Sequence, residues 1–373
     1  MIVLVGEFSG VHYTLAEALK RKGHEVVLIS DGDAYKKFPC DISAPPMYNG
    51  SLKYFYLIFY YLGVTGLLNY FKLKNKISCI NNIMVTQFIN PVAIPSLGAL
   101  GNFLLFRHFK KRSNIVSLCA LGDDFNWVMS CLKGVYKYSA LDRLFKGGVK
   151  GFLKYAYSLK YIASPFFVLL DFYVVKKSNC IVPGLTDYQL AYENKSRVLN
   201  KIPLPIDCTN SGAPTVAKYP IKIFHGWQVG KEAKKGNDLL HAAAERCVSY
   251  FGSEYVVYEV VGGLPYAEYI KRFNDSDIFL DQVFSYDCGV NALLAMACGK
   301  VVFSGFEYPG ESDIGMNATP CADELYEKLA FLIENLEKVN DIKENAWRHV
   351  RKYHDSSLVA DQYLGAWATY RAG

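Results

Sequence analysis

The sequence predicts an α/β chain of two doubly wound, Rossmann-like domains facing one another across a cleft. Three observations lead there. Apolar runs of strand length alternate with amphipathic stretches of helix length from Met1 onward, and the alternation starts afresh at Ile221. The proline-stiffened segment Lys201-Ile202-Pro203-Leu204-Pro205-Ile206-Asp207 stands between the two series and places the domain boundary. The charge also changes sign there: residues 1–200 carry 24 Lys+Arg against 12 Asp+Glu, and residues 201–373 carry 17 against 23, so +12 and −6 sum to the chain's +6. A length of 373 residues suits two domains of ordinary size, and 51% hydrophobic with 20% charged residues excludes a disordered or low-complexity chain.

Residues 1–6 read as a buried strand opening on a glycine turn. A helix follows from about Val11 to Lys22, Gly23 ends it, and Glu25 to Ser30 is the next strand. Ile83–Phe88, Ile115–Ala120 and Cys180–Pro183 read as further buried strands, with helical stretches rich in Tyr, Phe and Lys at 52–71 and 141–177. The second half gives strands at Ile221–His225, Tyr255–Val261, Asp277–Leu280 and Lys300–Ser304. Its helices fall at Asn237–Tyr250, Tyr266–Asn274, Val290–Cys298 and Ala322–Glu337. No repeat of solenoid period is present.

The N-terminus has no basic region followed by a cleavage site, and the ten cysteines include no C-x-x-C pair. Both point to a cytoplasmic protein with reduced thiols. Leu52–Phe71 has about the length that spans a bilayer. Its five tyrosines, Lys53 and Asn69, with Lys72, Lys74 and Lys76 behind, suit instead a helix in the core or lying on a membrane.

The densest chemistry lies in Asp277-Ile278-Phe279-Leu280-Asp281-Gln282 and in Tyr286-Asp287-Cys288-Gly289-Val290-Asn291 leading to Leu293-Leu294-Ala295-Met296-Ala297-Cys298-Gly299. A strand ends in polar residues and a glycine turn opens a small-residue helix. Such a helix start offers free N–H groups and partial positive charge to a diphosphate.

This stretch resembles the donor-binding segment of retaining GT-B glycosyltransferases of the group-1, family-4-like class, of capsule or lipopolysaccharide-cluster type. "LLAMACGKVVF" at 293–303 matches the second half of the pattern E-x7-E-A-M-A-x-G-x-P-V. Further resemblances occur in order: 3–31 to the first βαβ, "FINP" at 88–91, "LGDD" at 121–124, "IPLPID" at 202–207 to the interdomain connector, and 222–243 to the stretch bearing a phosphate-binding basic pair. The resemblance implies an acceptor domain at 1–204 joined by a returning C-terminal helix (356–373), and a nucleotide-sugar domain at 205–355. It implies sugar transfer with retention from a nucleotide sugar to a glycan or lipid-linked acceptor in surface polysaccharide synthesis. No cofactor or metal is implied, the nucleotide sugar being substrate.

Two departures stand out. The family's glutamates fall on Tyr286 and Leu294, and the Arg after the first strand of the second domain falls on Trp227. Lys235-Gly236 survive and Lys231 lies in the same loop, so Lys231 and Lys235 either neutralise phosphate as it departs or belong to a solvated loop. Glu307 and Glu311, after the next strand, could replace the lost carboxylate or form a solvated pair. Gln282, Tyr286, Gly289, Val290 and Asn291 are donor-site candidates, with a capping role open for Asn291. Gly6 and Gly10 flank a loop that a donor phosphate or sugar could approach. His12, at the next helix start, would face the cleft toward phosphate or acceptor, or else play a structural role. Asp123 and Asp124 would bind the acceptor hydroxyl or act as base, or else cap the helix at 125–132. Asn90 would contact the acceptor or shape the turn before Pro91.

No metal-ligand spacing, P-loop or G-x-S-x-G occurs. The basic, aromatic first half, with Lys110-Lys111-Arg112, Lys133, Lys137, Lys146, Lys150, Lys154 and Lys160, lacks any nucleic-acid motif. It fits an anionic membrane surface, with the cytoplasmic protein peripheral on the inner face of the cytoplasmic membrane, or else a solvated basic face over an aromatic core. Loss of the glutamates keeps two alternatives open: a non-catalytic sugar-nucleotide-binding paralogue or partner subunit, and a nucleotide-sugar epimerase.

Overall fold

A computed structural model describes residues 1–33, 36–48, 50–146, 148–209, 212–227, 230–262, 266–307 and 313–370. The chain forms two compact units: Met1–Ser130, Tyr157–Pro205 and Ser356–Gly373 make the first; Cys131–Ala156 and Ile206–Asp355 make the second. The stretch 131–156, which the sequence reading kept with the first half, groups with the second unit.

The first unit runs β1 (Ile2–Val5), α1 (Val11–Arg21), β2 (Val26–Ser30), β3 (Ile42–Ser43), α2 (Lys53–Tyr61), α3 (Val64–Ile77), β4 (Ile83–Phe88), α4 (Gly98–Lys110), β5 (Ser113–Ala120) and α5 (Phe125–Leu132). After α6 (Gly148–Leu153), which belongs to the second unit, it resumes with α7 (Ala156–Ala163), α8 (Pro165–Lys177), β6 (Cys180–Pro183) and α9 (Thr186–Tyr192). The sheet order is β3-β2-β1-β4-β5-β6 and every pairing is parallel, with Val3 opposite both Val27 and Thr86. The whole of β1 is buried, as a strand covered on both faces requires.

The second unit continues with β7 (Ile221–Gly226), α10 (Glu232–Lys235), α11 (Asn237–Phe251), β8 (Val256–Val261), α12 (Tyr266–Asn274), β9 (Ile278–Leu280), α13 (Val290–Ala297), β10 (Val301–Ser304), β11 (Met316–Asn317), α14 (Ala322–Glu334) and α15 (Leu336–Tyr353). Its sheet is also parallel, in the order β11-β10-β9-β7-β8. The last helix, α16 (Ser356–Ala368), groups with the first unit. It packs along α1, buries Tyr363 and Trp367 in that core, and is held by Arg21 donating to Ser356 Oγ at 3.0 Å.

Three long predicted helices are broken. Leu52–Phe71 divides at Gly63, whose φ of 83° suits only glycine and whose Cβ would meet Leu100 at 2.4 Å. The 141–177 stretch is three helices, α7 and α8 meeting at a 73° bend where Pro165 starts α8. Ala322–Glu337 divides at Asn335, whose backbone leaves the helical region. Among the described residues no single helix is long and apolar enough to cross a membrane.

Candidate functional site

Parallel sheets bind ligands beyond the carboxyl ends of their strands, where the strand order reverses direction. In the first unit that point lies between β1 and β4, and in the second between β7 and β9. The sequence-selected residues cluster at these ends, but many are more tightly tied than the sequence suggests.

In the first unit, Gly6 follows β1 with φ 86°, and a Cβ there would lie 2.4 Å from the Ala93 carbonyl. Gly10 shares that φ and lies against the Phe38 ring. Both glycines are therefore demanded by their own neighbours. Between them Glu7, passed over by the sequence reading, folds its carboxylate over the start of α1. Tyr13 N–H donates to Oε2 at 2.6 Å, whereas Oε1 is buried without a hydrogen-bond partner. Burial pushes this carboxyl up to about 7, against the pull of the Tyr13 amide and with some help from Asp33. The N-terminal amides of α1 are thus served by the chain's own acid.

His12 is fully buried rather than turned to a ligand, which corrects the expectation that it faces an open cleft. Its Nδ1 lies 2.8 Å from the Gly6 carbonyl and so carries the proton. Nε2 then accepts from Gln87 Nε2 at 3.3 Å, and Ser117 Oγ donates to Gln87 Oε1 at 3.1 Å. Burial pushes the imidazole down to about 4, so it is neutral at pH 7 and fixes the Gly6 turn to β4 and β5.

Asn90 is equally committed. Its Nδ2 donates to the Leu121 carbonyl at 2.6 Å and its Oδ1 accepts from Val92 N–H at 2.8 Å, so it joins the loops after β4 and β5. Asp124 is buried and caps α5: Oδ1 accepts from Trp127 N–H at 2.8 Å and Oδ2 from the Tyr192 hydroxyl at 2.7 Å. Burial raises this carboxyl to about 6, with neighbouring Asp123 adding to the rise. The capping alternative is the one realised. Asp123 remains half-buried, bonded by the Ser158 hydroxyl.

In the second unit, Lys235 Nζ pairs with Asp281 Oδ1 at 2.7 Å, and Ser304 Oγ donates to Asp281 Oδ2 at 3.2 Å. The pair joins the loop after β7 to the ends of β9 and β10. Gly236 is fixed in the left-handed region, since a Cβ there would stand 2.2 Å from Val283. Asn237, the first residue of α11, is fully buried with its side chain against that of His225, and neither its amide atoms nor His225 Nε2 makes a hydrogen bond of good geometry. Burial pushes His225 down to about 4, against the pull of the Asn237 side chain. These buried polar groups stand at the switch point and face one another. Lys231 is exposed at the start of α10. Trp227, where the resemblance places Arg, lies 5.4 Å from the His225 ring and 6.0 Å from that of His241, centroid to centroid.

The loops after β9 and β10 meet: Glu307 N–H donates to the Tyr286 carbonyl at 3.2 Å, and Gly305 lies against the Ser285 carbonyl. Glu307 Oε1 accepts from Asn317 Nδ2 at 3.0 Å. Tyr286 and Glu307 therefore share one place, with Tyr286 beside Tyr136, ring centroids 5.8 Å apart. Gln282 is half-buried after β9. Gly289 caps α13, and Val290 begins it. Asn291 and Leu294 are the exposed residues of its first two turns, and Leu294 is 43% exposed where the resemblance places a glutamate. Glu311 lies outside the described residues. Among the described residues no group of three His, Cys, Asp or Glu side chains is placed to hold a metal ion.

Two parallel sheets with flanking helices and these strand-end sites give the chain the GT-B fold. It is similar over its whole length to sucrose-phosphate synthase from Thermosynechococcus elongatus, with a TM-score of 0.62, 12% identity, and 100% of this chain against 99% of that one. Anabaena HepE, solved with UDP and glucose, gives 0.60 at 13% identity over 98% of both chains. A glycosyltransferase from Rickettsia africae gives 0.57 at 14%, over 99% and 97%. A Listeria monocytogenes protein assigned as a UDP-N-acetylglucosamine 2-epimerase gives 0.54 at 10% identity, over 98% and 94%. No family model and no curated protein sequence matches the chain. Identities this low establish a shared fold.

Proposed function

We propose that the protein is a glycosyltransferase that moves a sugar from a nucleotide-sugar donor, with UDP as the nucleotide, to a glycan or lipid-linked acceptor in surface polysaccharide synthesis. The observation that carries this reading is Lys235, held by Asp281 at the switch point of the second unit beside the start of α11. A cation and a helix N-terminus suit a diphosphate. The UDP-bound HepE structures of the same fold support UDP as the nucleotide.

In this reading the second unit holds the donor. Lys235 and the exposed Lys231 meet the phosphate charge. Tyr286, Glu307 and Asn291 take the sugar and ribose hydroxyls that the missing glutamates would take. The first unit holds the acceptor, with Asp123 the best exposed of its candidate acids. The C1–O bond to phosphate breaks, C1 bonds to the acceptor oxygen, and the acceptor proton passes to the departing phosphate. With the acceptor oxygen approaching C1 on the face the phosphate leaves, that course retains configuration, and it needs no resident metal.

The test is a panel of nucleotide sugars with and without lipid acceptor, read by nucleotide release and by product. Release that needs acceptor supports transfer. No release with any donor leaves a non-catalytic binding protein. Epimer formed without acceptor, the activity assigned to the Listeria relative of this fold, overturns transfer.

A further inference from the structure

The adjoining helices α2 and α3 carry a surface that their own packing does not explain. Their inner side is clamped. Tyr60 is buried and donates to the Pro95 carbonyl at 3.0 Å, and Leu73 and Ile77 are fully buried. At Gly66 a Cβ would meet the Leu97 carbonyl at 2.2 Å, and at Gly101 one would meet the Gly66 carbonyl at 2.5 Å, so the backbones of α3 and α4 touch. The pair is thus fixed in place with a defined outside.

That outside is apolar. Leu52, Phe55, Ile58 and Leu62, along α2 and its end, are exposed by 57–65%, and Leu68 and Phe71 on α3 by 59% and 54%. Spacings of three and four residues put each set in a row along its helix. Monomers rarely leave such a set uncovered. Lys53, Lys72, Lys74 and Lys76 frame it and are exposed. The chain that carries it is charged in one sign: residues 42–122 contain eight Lys and Arg and no Asp or Glu.

We propose that the outer face of α2 and α3 docks on an anionic lipid surface, with the large apolar side chains at the acyl boundary and the lysines on lipid phosphates. The proposal rests on the reading of a membrane-side acceptor and names the surface that would reach it. The charge selects the occupant. A second copy seated on the same face across a two-fold axis would set lysines against lysines, whereas anionic headgroups complement them. Large apolar side chains on one side of a helix, with lysines beside them, are the pattern of a helix lying in a membrane interface.

The experiment is co-sedimentation of the full chain with vesicles of phosphatidylcholine alone and of phosphatidylcholine with phosphatidylglycerol, in low and high salt, without nucleotide sugar. Docking and transfer are thereby read separately. Wild type binds the anionic vesicles, less so in high salt. The double variant Phe55→Glu, Ile58→Glu binds them roughly a hundredfold more weakly, having lost two inserted side chains. The variant Leu68→Glu on the neighbouring helix weakens binding as well. All these positions are more than half exposed, so melting temperature stays at the wild-type value and reports an intact fold. Absence of binding to either vesicle overturns the proposal, as does equal binding by the variants. A wild-type dimer in sedimentation velocity that Phe55→Glu, Ile58→Glu turns into monomer also overturns it, and gives the face to a second copy.

Discussion

Replacing Glu7 by Gln tests the reading of the first unit's switch point, because it removes charge and keeps shape. In the folded chain this carboxyl titrates at about 7, against 4.5 for an ordinary glutamate, chiefly through burial. Between those pH values the folded chain holds a proton that the unfolded chain releases. Glu7 is therefore neutral and tolerated at low pH, and the stability this confers is lost as pH rises through 7. A difference of about 2.5 units, at roughly 1.4 kcal/mol each, amounts to about 3 kcal/mol. A glutamine keeps an oxygen for Tyr13 N–H, sets an amide where Oε1 lacks a partner, and carries no charge. Urea unfolding of both proteins across acid to mildly alkaline pH measures the effect. Glu7→Gln should match wild type near pH 4.5 and exceed it by about 2–3 kcal/mol at pH 8. His12 has the opposite dependence, since its lowered value costs stability on acidification, but both proteins contain it and it cancels in the difference. A difference that does not change with pH, or wild type gaining on the variant as pH rises, would refute the buried-carboxyl reasoning.

Asn90→Ala leaves the Leu121 carbonyl and the Val92 amide buried without partners, and should cost about 1–3 kcal/mol in chemical denaturation. An unchanged midpoint would show that Asn90 does not join those loops. Asp281→Asn removes the carboxylate that neutralises Lys235, so calorimetric titration with a nucleoside diphosphate should show severalfold tighter binding, most marked at low salt. Weaker binding would mean that the carboxylate itself faces the ligand. Leu294→Glu places a carboxylate at an exposed site on α13, so melting temperature should hold while donor affinity rises about tenfold through a new ribose hydrogen bond. Unchanged affinity would separate this helix from the donor.

The fold was largely legible because a buried parallel strand must be apolar on both faces. The runs at Ile83–Phe88, Ile115–Ala120 and Cys180–Pro183 could hardly be anything else. The two-residue strands β3 and β11 carry no such signal. The break of the Leu52–Phe71 helix depended on Leu100, whose approach to Gly63 no local pattern records. Among the candidate residues, Lys235 and Gly236 were picked out through a motif. Asp281 escaped because its meaning lies in a partner 46 residues away. Glu7 escaped because a lone acid in a glycine-bounded loop reads as solvated, and only burial makes it otherwise. His12, Asn90 and Asp124 were placed at the correct strand ends, yet sequence could not tell a side chain facing ligand from one spent on neighbouring carbonyls and amides.

The most direct measurement is a crystal structure of the chain with a nucleoside diphosphate bound. Its phosphates should lie at the carboxyl ends of β7 and β9, against Lys235 and the start of α11, with Tyr286 or Glu307 on the hydroxyls where the lost glutamates would stand. Density for the diphosphate elsewhere, or none at saturating ligand, would contradict a donor site at the switch point of the second unit.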